Sequence, residues 1–345
     1  MKVLLTGSAG FIGSAIGAQL DAAGDEVVRV DLMVPQAHGS TAPPPGTHRL
    51  DVRDVEVWSD LLDGVDVVCH QAALVGAGVA VADLPGYAAH NDLGTAALLA
   101  AMHAHGVSRI VLASSMVVYG EGRYACAEHD DQLPGARSTA SLDAGDFENP
   151  CPVCGGPLAW RPVDEDARLD PRSSYAASKL AQEHYTSAWV RQAGGAAIAL
   201  RYHNVYGPGM PRDTPYSGVA AMFRSSLERG EAPAVYEDGL QARDFVHVQD
   251  VARANVLALR AVVDRDGYAA YNVSSGHPIT IAEVARLVAE GSGRPISPEI
   301  TARYRLGDVR HVVASPERAA AELGFRAEIA PEVGLPAFAT APLRA

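Results

Sequence analysis

The run Val3-Leu4-Leu5-Thr6-Gly7-Ser8-Ala9-Gly10-Phe11-Ile12-Gly13 constrains this chain more than any other stretch. An apolar segment this short and bounded by glycine reads as a buried strand. Gly7, Gly10 and Gly13, spaced Gly-x-x-Gly-x-x-Gly, then read as a turn that opens directly into a helix. Such a turn leaves the first amides of the helix free to face an anion, and a pyrophosphate suits that geometry.

The pattern repeats down the chain. Residues 3–6, 26–31, 65–70 and 109–114 are strands by composition, with helical stretches between them, and the series continues with a helix over 174–193 and a strand over 197–201. Strands alternating with helices predict α/β architecture, a doubly wound parallel sheet. Beyond residue 202 the pattern changes: Gly207-Pro208-Gly209-Met210-Pro211 and Asp213-Thr214-Pro215 break it, and helices near 217–229 and 280–290 suggest a smaller C-terminal α+β lobe. The expected division is residues 1–202 for the first domain and 203–345 for most of the second. Segments near 240–275, with strands at 245–247 and 270–273, return to the first. The proline-rich residues 41–46 read as a surface loop.

With 345 residues, 48% of them hydrophobic, the chain can bury a large core. Its net charge of −13 argues against nucleic acid or an anionic membrane as partner, so an anionic ligand must be met by a few local arginines. Met1-Lys2 leads straight into the first strand without a leader pattern, and no apolar run approaches a membrane span. The expected location is cytoplasmic.

Asp31 ends the second strand, where a carboxylate can accept both hydroxyls of an adenosine ribose and would repel a 2′-phosphate, so NAD is favoured over NADP. Asp51-Val52 after the third strand and Gln71-Ala72-Ala73 after the fourth are placed to line the adenine and ribose side. Tyr175 and Lys179, four apart in Tyr-Ala-Ala-Ser-Lys, share one face of a helix. An ammonium beside a phenol stabilises the phenolate and brings proton abstraction toward neutral pH.

Together with Ser114-Ser115-Met116-Val117-Val118-Tyr119-Gly120, Leu200-Arg201-Tyr202-His203-Asn204-Val205-Tyr206-Gly207-Pro208, residues 237–248, Tyr271-Asn272-Val273 and residues 305–311, these motifs resemble the extended short-chain dehydrogenase/reductases. More narrowly they resemble the NAD-dependent sugar-nucleotide epimerases. The resemblance covers nearly the whole chain and implies a Rossmann first domain, tightly bound NAD and a homodimer formed through helices near 89–104 and 174–193. It implies catalytic roles for Ser115, Tyr175 and Lys179. It places Gly7, Gly10, Phe11, Ile12, Gly13, Asp31, Leu32, Asp51, Val52, Gln71, Ala72, Ala73, Asn91, Ser114, Tyr202 and Val205, along with Tyr175 and Lys179, around the cofactor. Ser115, Asn204, Val219, Tyr236, Arg243, Arg305 and Asp308 fall on the nucleotide-sugar side, with Arg243 and Arg305 as guanidinium forks for a UDP or dTDP diphosphate.

Dehydratases of the family carry an Asp-Glu pair just after the serine or threonine, where this chain has Met116 and Val117. The resemblance therefore implies 4-epimerisation through a 4-keto intermediate, with an NAD(P)H-dependent 4-ketoreductase as the alternative. A non-catalytic NAD-binding regulator is a third reading, which intact Ser115, Tyr175 and Lys179 oppose. His203 stands where many relatives carry an aromatic residue, which affects the sugar side.

The chain between Ser115 and Tyr175 is longer than in the family's simpler members, an insertion at about 121–165. It holds Cys126-Ala127-Glu128-His129 and Cys151-Pro152-Val153-Cys154, and three thiolates with one imidazole complete a tetrahedral zinc site that has no open position. A redox pair or unligated thiols are the competing readings. Residues 130–149 look too polar to fold on a core of their own, so the expected zinc is structural. The insertion and residues 214–219 look most like the dTDP-L-rhamnose 4-epimerase branch. Cys69, at the end of an apolar strand, reads as core.

Overall fold

In the first strand Leu4 faces one way while Val3 and Leu5 face the other, and all three are fully buried. A strand apolar on both faces needs helices on both sides of its sheet. The computed structural model, which describes residues 1–38, 42–76, 78, 80–212 and 218–344, supplies them. Among the described residues, seven parallel strands form the main sheet in the order Gly267–Val273, Ala196–Tyr202, Arg109–Ser115, Val67–His70, Lys2–Thr6, Glu26–Asp31 and Thr47–Arg49. Helices Phe11–Ala22 and Val248–Val263 cover the face of Val3 and Leu5, where Ile16, Leu20, Val251 and Leu259 join the core. Helices Gly94–Ala104 and Ser174–Ala193 cover the face of Leu4, with Leu98, Met102 and Trp189. The doubly wound sheet expected from the strand and helix alternation is thus present.

The second lobe has its own core, built from Tyr206, Phe223, Leu227, Phe245, Val284, Leu287 and Phe338. Its helices Val219–Glu228 and Ile281–Gly291 pack beside a small sheet in which Ala242–His247 pairs parallel with Asn204–Tyr206 and antiparallel with Pro278–Thr280. The strand at 242–247 therefore stays in the second lobe rather than joining the main sheet. The Asp244 carboxylate anchors it there, accepting the amides of Ser275 at 2.6 Å and Gly276 at 3.0 Å. The chain then returns as Val248–Val263 and Gly267–Val273. The expectations for Thr41 and for residues 213–217 lie outside the described residues.

The insertion forms a three-stranded antiparallel sheet of Asp130–Gln132, Arg123–Cys126 and Ala159–Arg161, with a short helix Thr139–Asp143. Outside the polar stretch 130–149, Tyr124, Cys126, Cys151 and Leu158 make a small buried cluster under Trp160. The apolar residues flank the polar stretch on both sides, so reading 130–149 alone hides them. Among the described residues no helix is long and apolar enough to cross a membrane.

Candidate active site

The glycine turn is built by close backbone approach. Gly7 has φ +65, and a Cβ there would stand 2.7 Å from the Ala72 amide nitrogen; one on Gly13 would stand 2.1 Å from the Gly7 carbonyl. Gly10 caps the Phe11–Ala22 helix without a side-chain bond, leaving the first-turn amides unclaimed by a cap. Asp31 is buried at the end of its strand and accepts the amides of Ala9 at 3.0 Å and Met33 at 2.7 Å, with His38 Nε2 at 3.4 Å. Burial works against its ionisation, but the bonds from His38, Met33 and Ala9 outweigh it and hold the carboxyl below the usual range.

These groups line one cavity of about 390 Å³. Gly7, Gly10, Phe11, Ile12 and Gly13 contribute to its wall, as do Asp31, Leu32, Asp51 and Val52. Gln71, Ala72, Ala73, Ser114, Tyr202 and Val205 line it as well, so the structure brings together these residues expected at the cofactor. Asn91 is not in that wall. It lies fully buried behind it, on the π-helical stretch Ala88–Leu93, and bonds Leu74 through its amide at 2.7 Å and its carbonyl at 3.0 Å, with Ser178 Oγ at 2.8 Å. It positions the Leu74 wall instead of lining it.

The same cavity holds Ser115, Tyr175 and Lys179. The Arg109–Ser115 strand delivers Ser115, whose Oγ accepts the Val117 amide at 3.4 Å. Ser173 caps the next helix, its hydroxyl accepting the Ala176 amide at 3.1 Å, and so sets Tyr175 and Lys179 in the first turns. Burial pushes the Tyr175 phenol up, and its hydrogen bond with Ser115 draws it part of the way back. Burial lowers the Lys179 ammonium to about 7, against the pull of Glu183.

Glu183, one turn beyond Lys179, is the residue the sequence reading missed. It pairs with Arg201 at 2.8 Å and accepts hydrogen bonds from Tyr268 at 3.0 Å and from the Ser114 hydroxyl. Arg201 in turn donates to Tyr119 Oη and the Glu165 carbonyl, both at 2.9 Å. The spacing 175, 179, 183 along one helical face was the available signal.

Of the residues expected on the sugar side, Asn204 and Val219 line the cavity, with Asn204 Nδ2 donating to the Asp244 carbonyl at 2.9 Å. His203 lines it too. That ring is 3% exposed, and neither nitrogen makes a hydrogen bond of normal geometry among the described residues. Tyr236, Arg243, Arg305 and Asp308 gather outside that wall. Arg305 stacks over the Tyr236 ring at 5.2 Å, and Arg243 gives its Nη hydrogens to the carbonyls of Ala242 at 2.9 Å, Arg310 at 2.8 Å and Val309 at 2.7 Å. Met116 and Val117 leave no acid or base beside Ser115 in sequence.

In the insertion, ligand atoms of Cys126, His129, Cys151 and Cys154 all lie within 4.8 Å of one another. Cys126 Sγ stands 3.5 Å from His129 Nδ1 and 3.8 Å from Cys154 Sγ, and Cys151 Sγ 3.8 Å from His129 Nδ1. The amides of Val153 and Cys154 point at the Cys151 sulfur. All of these cysteines, and Cys69 in the core, are free of disulfides.

The sequence model of the NAD dependent epimerase/dehydratase family matches residues 3–140 and 153–274. The dTDP-L-rhamnose 4-epimerase of Burkholderia thailandensis is 34% identical over 97% of this chain and 93% of its own length. A UDP-glucose 4-epimerase of Corynebacterium glutamicum is 31% identical over 95% and 91%. The crystal structure of the Thermus thermophilus UDP-glucose 4-epimerase, a complex with NAD, superposes with a TM-score of 0.76 at 31% identity, covering 98% of each chain.

Proposed function

The chain belongs to the NAD-dependent epimerase/dehydratase family, and on that premise we propose that it inverts C4 of a nucleoside-diphosphate sugar. The observation that carries the reading is a single cavity uniting the glycine turn, Asp31, Ser115, Tyr175 and Lys179. NAD fits the residues present. Only glycine can stand at Gly7 and Gly13, so backbone can approach a pyrophosphate there, and the ionised Asp31 suits a ribose diol.

Held in this cavity, NAD supplies the chemistry of taking a hydride from C4 and giving it back to the opposite face. Tyr175 takes the proton of the C4 hydroxyl as that carbon becomes a carbonyl, and returns it when the carbonyl is reduced. Ser115 hydrogen-bonds the same oxygen, and the Lys179 charge favours the phenolate. Between the two steps the keto sugar presents its other face, so the nucleotide must be held firmly and the sugar loosely. Arg243 and Arg305 are the firm part of this proposal, as guanidinium forks for a UDP or dTDP diphosphate, with Tyr236 and Asp308 elsewhere on the nucleotide-sugar side.

We assign the four-ligand cluster of the insertion to a structural zinc. Thiolates around zinc at bonds of about 2.3 Å stand about 3.8 Å apart, and a shorter Zn–N bond brings the imidazole nearer; Cys126 to Cys154 is 3.8 Å and Cys126 to His129 is 3.5 Å. A homodimer is supported by the face that Ala96, Leu99, Ala100, Tyr185 and Ala188 make across the Gly94–Ala104 and Ser174–Ala193 helices, on which Tyr185 is 47% exposed. Light scattering tests it, and a monomer at micromolar concentration overturns it.

The decisive experiment incubates purified protein with UDP- and dTDP-linked hexoses and reads C4 configuration by NMR. An epimerase releases NAD on denaturation and turns over without added reductant. Stoichiometric NADH consumption would instead establish a 4-ketoreductase, and a protein that binds no nucleotide sugar would be a regulator. Zinc is tested by mass spectrometry of the native protein and of Cys151→Ser/Cys154→Ser, and equal metal content in both refutes it.

A further inference from the structure

The insertion does not hang free from the catalytic domain. It is docked on residues 304–311, the segment whose carbonyls hold Arg243. The joint is polar, buried at Arg310, Glu237, Glu121 and Asn149 and half-exposed at Glu148, and it is built from side chains on both sides of the cysteine cluster.

Glu148 and Asn149 stand just before Cys151. Glu148 accepts Arg310 Nε at 2.9 Å and lies 3.0 Å from His311 Nε2. Asn149 donates to Glu121 at 3.2 Å, and the same Glu121 oxygen takes the Arg310 amide at 2.9 Å. Tyr124, packed with Cys126 and Cys151, accepts the His311 amide at 3.0 Å. Arg137 bonds the Phe147 carbonyl at 3.0 Å, the Asp308 carbonyl at 2.7 Å and the Glu237 carboxylate at 2.8 Å. Tyr304 donates to Asp143 at 2.7 Å. The Arg310 side chain, at the centre, is fully buried among Glu148, Glu237 and Asp238.

On its far side this segment shapes Arg243. The carbonyls of Val309, Arg310 and Ala242 take three of its five N–H donors. Among the described residues that leaves Nε and one Nη2 hydrogen, which together can form the side-on edge of the guanidinium that makes two parallel bonds to a phosphate or carboxylate. A small rotation of 309–310 would spoil that edge. A polar loop with a core of a few residues cannot by itself hold Glu148 and Arg137 to the accuracy such a fork needs.

We propose that metal binding at Cys126, His129, Cys151 and Cys154 positions Arg243 for the nucleoside diphosphate, acting through Glu148, Arg137 and the 304–311 segment. The proposal rests on the reading of the cluster as a zinc site and of Arg243 as a diphosphate ligand. The cluster is thereby tied to substrate affinity while standing apart from the NAD and proton-transfer groups. Glu148 and Arg137 are positioning residues. They act on the ligand only through the backbone that holds Arg243.

The test uses the NAD-loaded, zinc-loaded protein and titrates UDP and dTDP by calorimetry, with zinc, NAD content and steady-state kinetics read on the same samples. Glu148→Gln keeps its zinc and NAD, weakens binding of the preferred nucleotide about tenfold and raises KM in step, with kcat within about twofold of the parent. Removing zinc from the parent protein with a chelator has the same effect, and added zinc restores affinity; this arm holds even where Cys151→Ser/Cys154→Ser fails to fold. Unchanged nucleotide affinity in zinc-free protein overturns the coupling and leaves the zinc site standing. A parent protein that binds no metal overturns the zinc reading and the coupling with it. Arg243→Met with parental affinity removes the diphosphate ligand, and the proposal falls on that side.

Discussion

Lys179 and Tyr175 share one helical face, yet Lys179 Nζ gives its hydrogen bond to the Ala113 carbonyl at 3.0 Å and lies 5.9 Å from the centre of the Tyr175 ring. The hydrogen bond to the phenol comes from Ser115, and Lys179 stands beside the ring without bonding it. Tyr175→Phe is expected to keep NAD bound and lose about 10² to 10⁴ in kcat, the span of general acid-base catalysis. Ser115→Ala should lose about 10² to 10³, as for removal of one donor to a developing charge. Single-turnover reduction of bound NAD by the sugar reads both; a Tyr175→Phe enzyme at parental rate removes the phenolate from the mechanism.

The buried ammonium also makes a prediction about pH. Lys179 titrates near 7 in the folded protein because burial disfavours its charge, whereas an unfolded lysine titrates near ~10.4. Below about pH 7 both states hold the proton and the full cost of burying the charge is present. Between 7 and ~10.4 the folded state has shed the proton that the unfolded chain retains, so the cost fades as pH rises. Lys179→Met should thus gain on the order of a few kcal/mol at pH 6, less the lost bond to Ala113, and the gain should vanish by about pH 10. Calorimetric Tm values across this range check it, and a pH-independent gain contradicts it.

Glu183 and Arg201 form the buried ion pair beneath the same strand end. Their side chains are 3% and 4% exposed, so Glu183→Gln leaves a guanidinium without its charge partner and should cost about 3–5 kcal/mol. Glu183→Met/Arg201→Met should cost less than Glu183→Gln, because no charge is then stranded. Denaturant unfolding of the three proteins gives the comparison. Equal stability of Glu183→Gln and the parent would show that the pair contributes nothing.

Local signals made much of this architecture legible in the sequence. Val3-Leu4-Leu5 states its burial by being apolar on both faces, and Gly7, Gly10 and Gly13 state their turn by spacing. Tyr175 and Lys179 could be placed together since a helix brings such neighbours to one face. What escaped depends on contacts between distant segments. Nothing in the sequence near Asn91 shows that it will hold Leu74 from behind, and Glu183 gains its meaning from Arg201 on another strand. The docking of Arg137 and Glu148 onto residues 304–311 joins segments more than a hundred and fifty positions apart. The polar composition of 130–149 concealed it, because the partners that bury those charges are elsewhere.

The proposed preference for NAD over NADP rests on Asp31. Its carboxylate already accepts the Ala9 and Met33 amides, so Asp31→Ala both frees the space in which a 2′-phosphate would meet a negative charge and strands two amides. It should lower NAD affinity, narrow the preference for NAD over NADP, and cost about 1–3 kcal/mol of stability. Fluorescence titration with both cofactors and a melting curve test the two parts separately. A variant that still rejects NADP as the parent does would move the discrimination to another residue.

His203 offers the sharpest test of the sugar side. An imidazole this buried whose nitrogens make no hydrogen bond of normal geometry among the described residues is costly, and burial lowers its pKa to about 3 although a poorly aligned contact with Asn272 acts the other way, so the ring is neutral at working pH. A neutral ring offers one donor and one acceptor to whatever enters the cavity. His203→Phe fills the same space without the unpaired nitrogens, and its stability should match or exceed the parent's by about 1 kcal/mol. If the imidazole serves the sugar, KM for the nucleotide sugar should rise about tenfold in that variant, with NAD content unchanged. A destabilising substitution of the core would move both quantities in the harmful direction, whereas a ligand-facing histidine moves them in opposite ones. Parental KM with raised stability would make His203 a packing residue and nothing more.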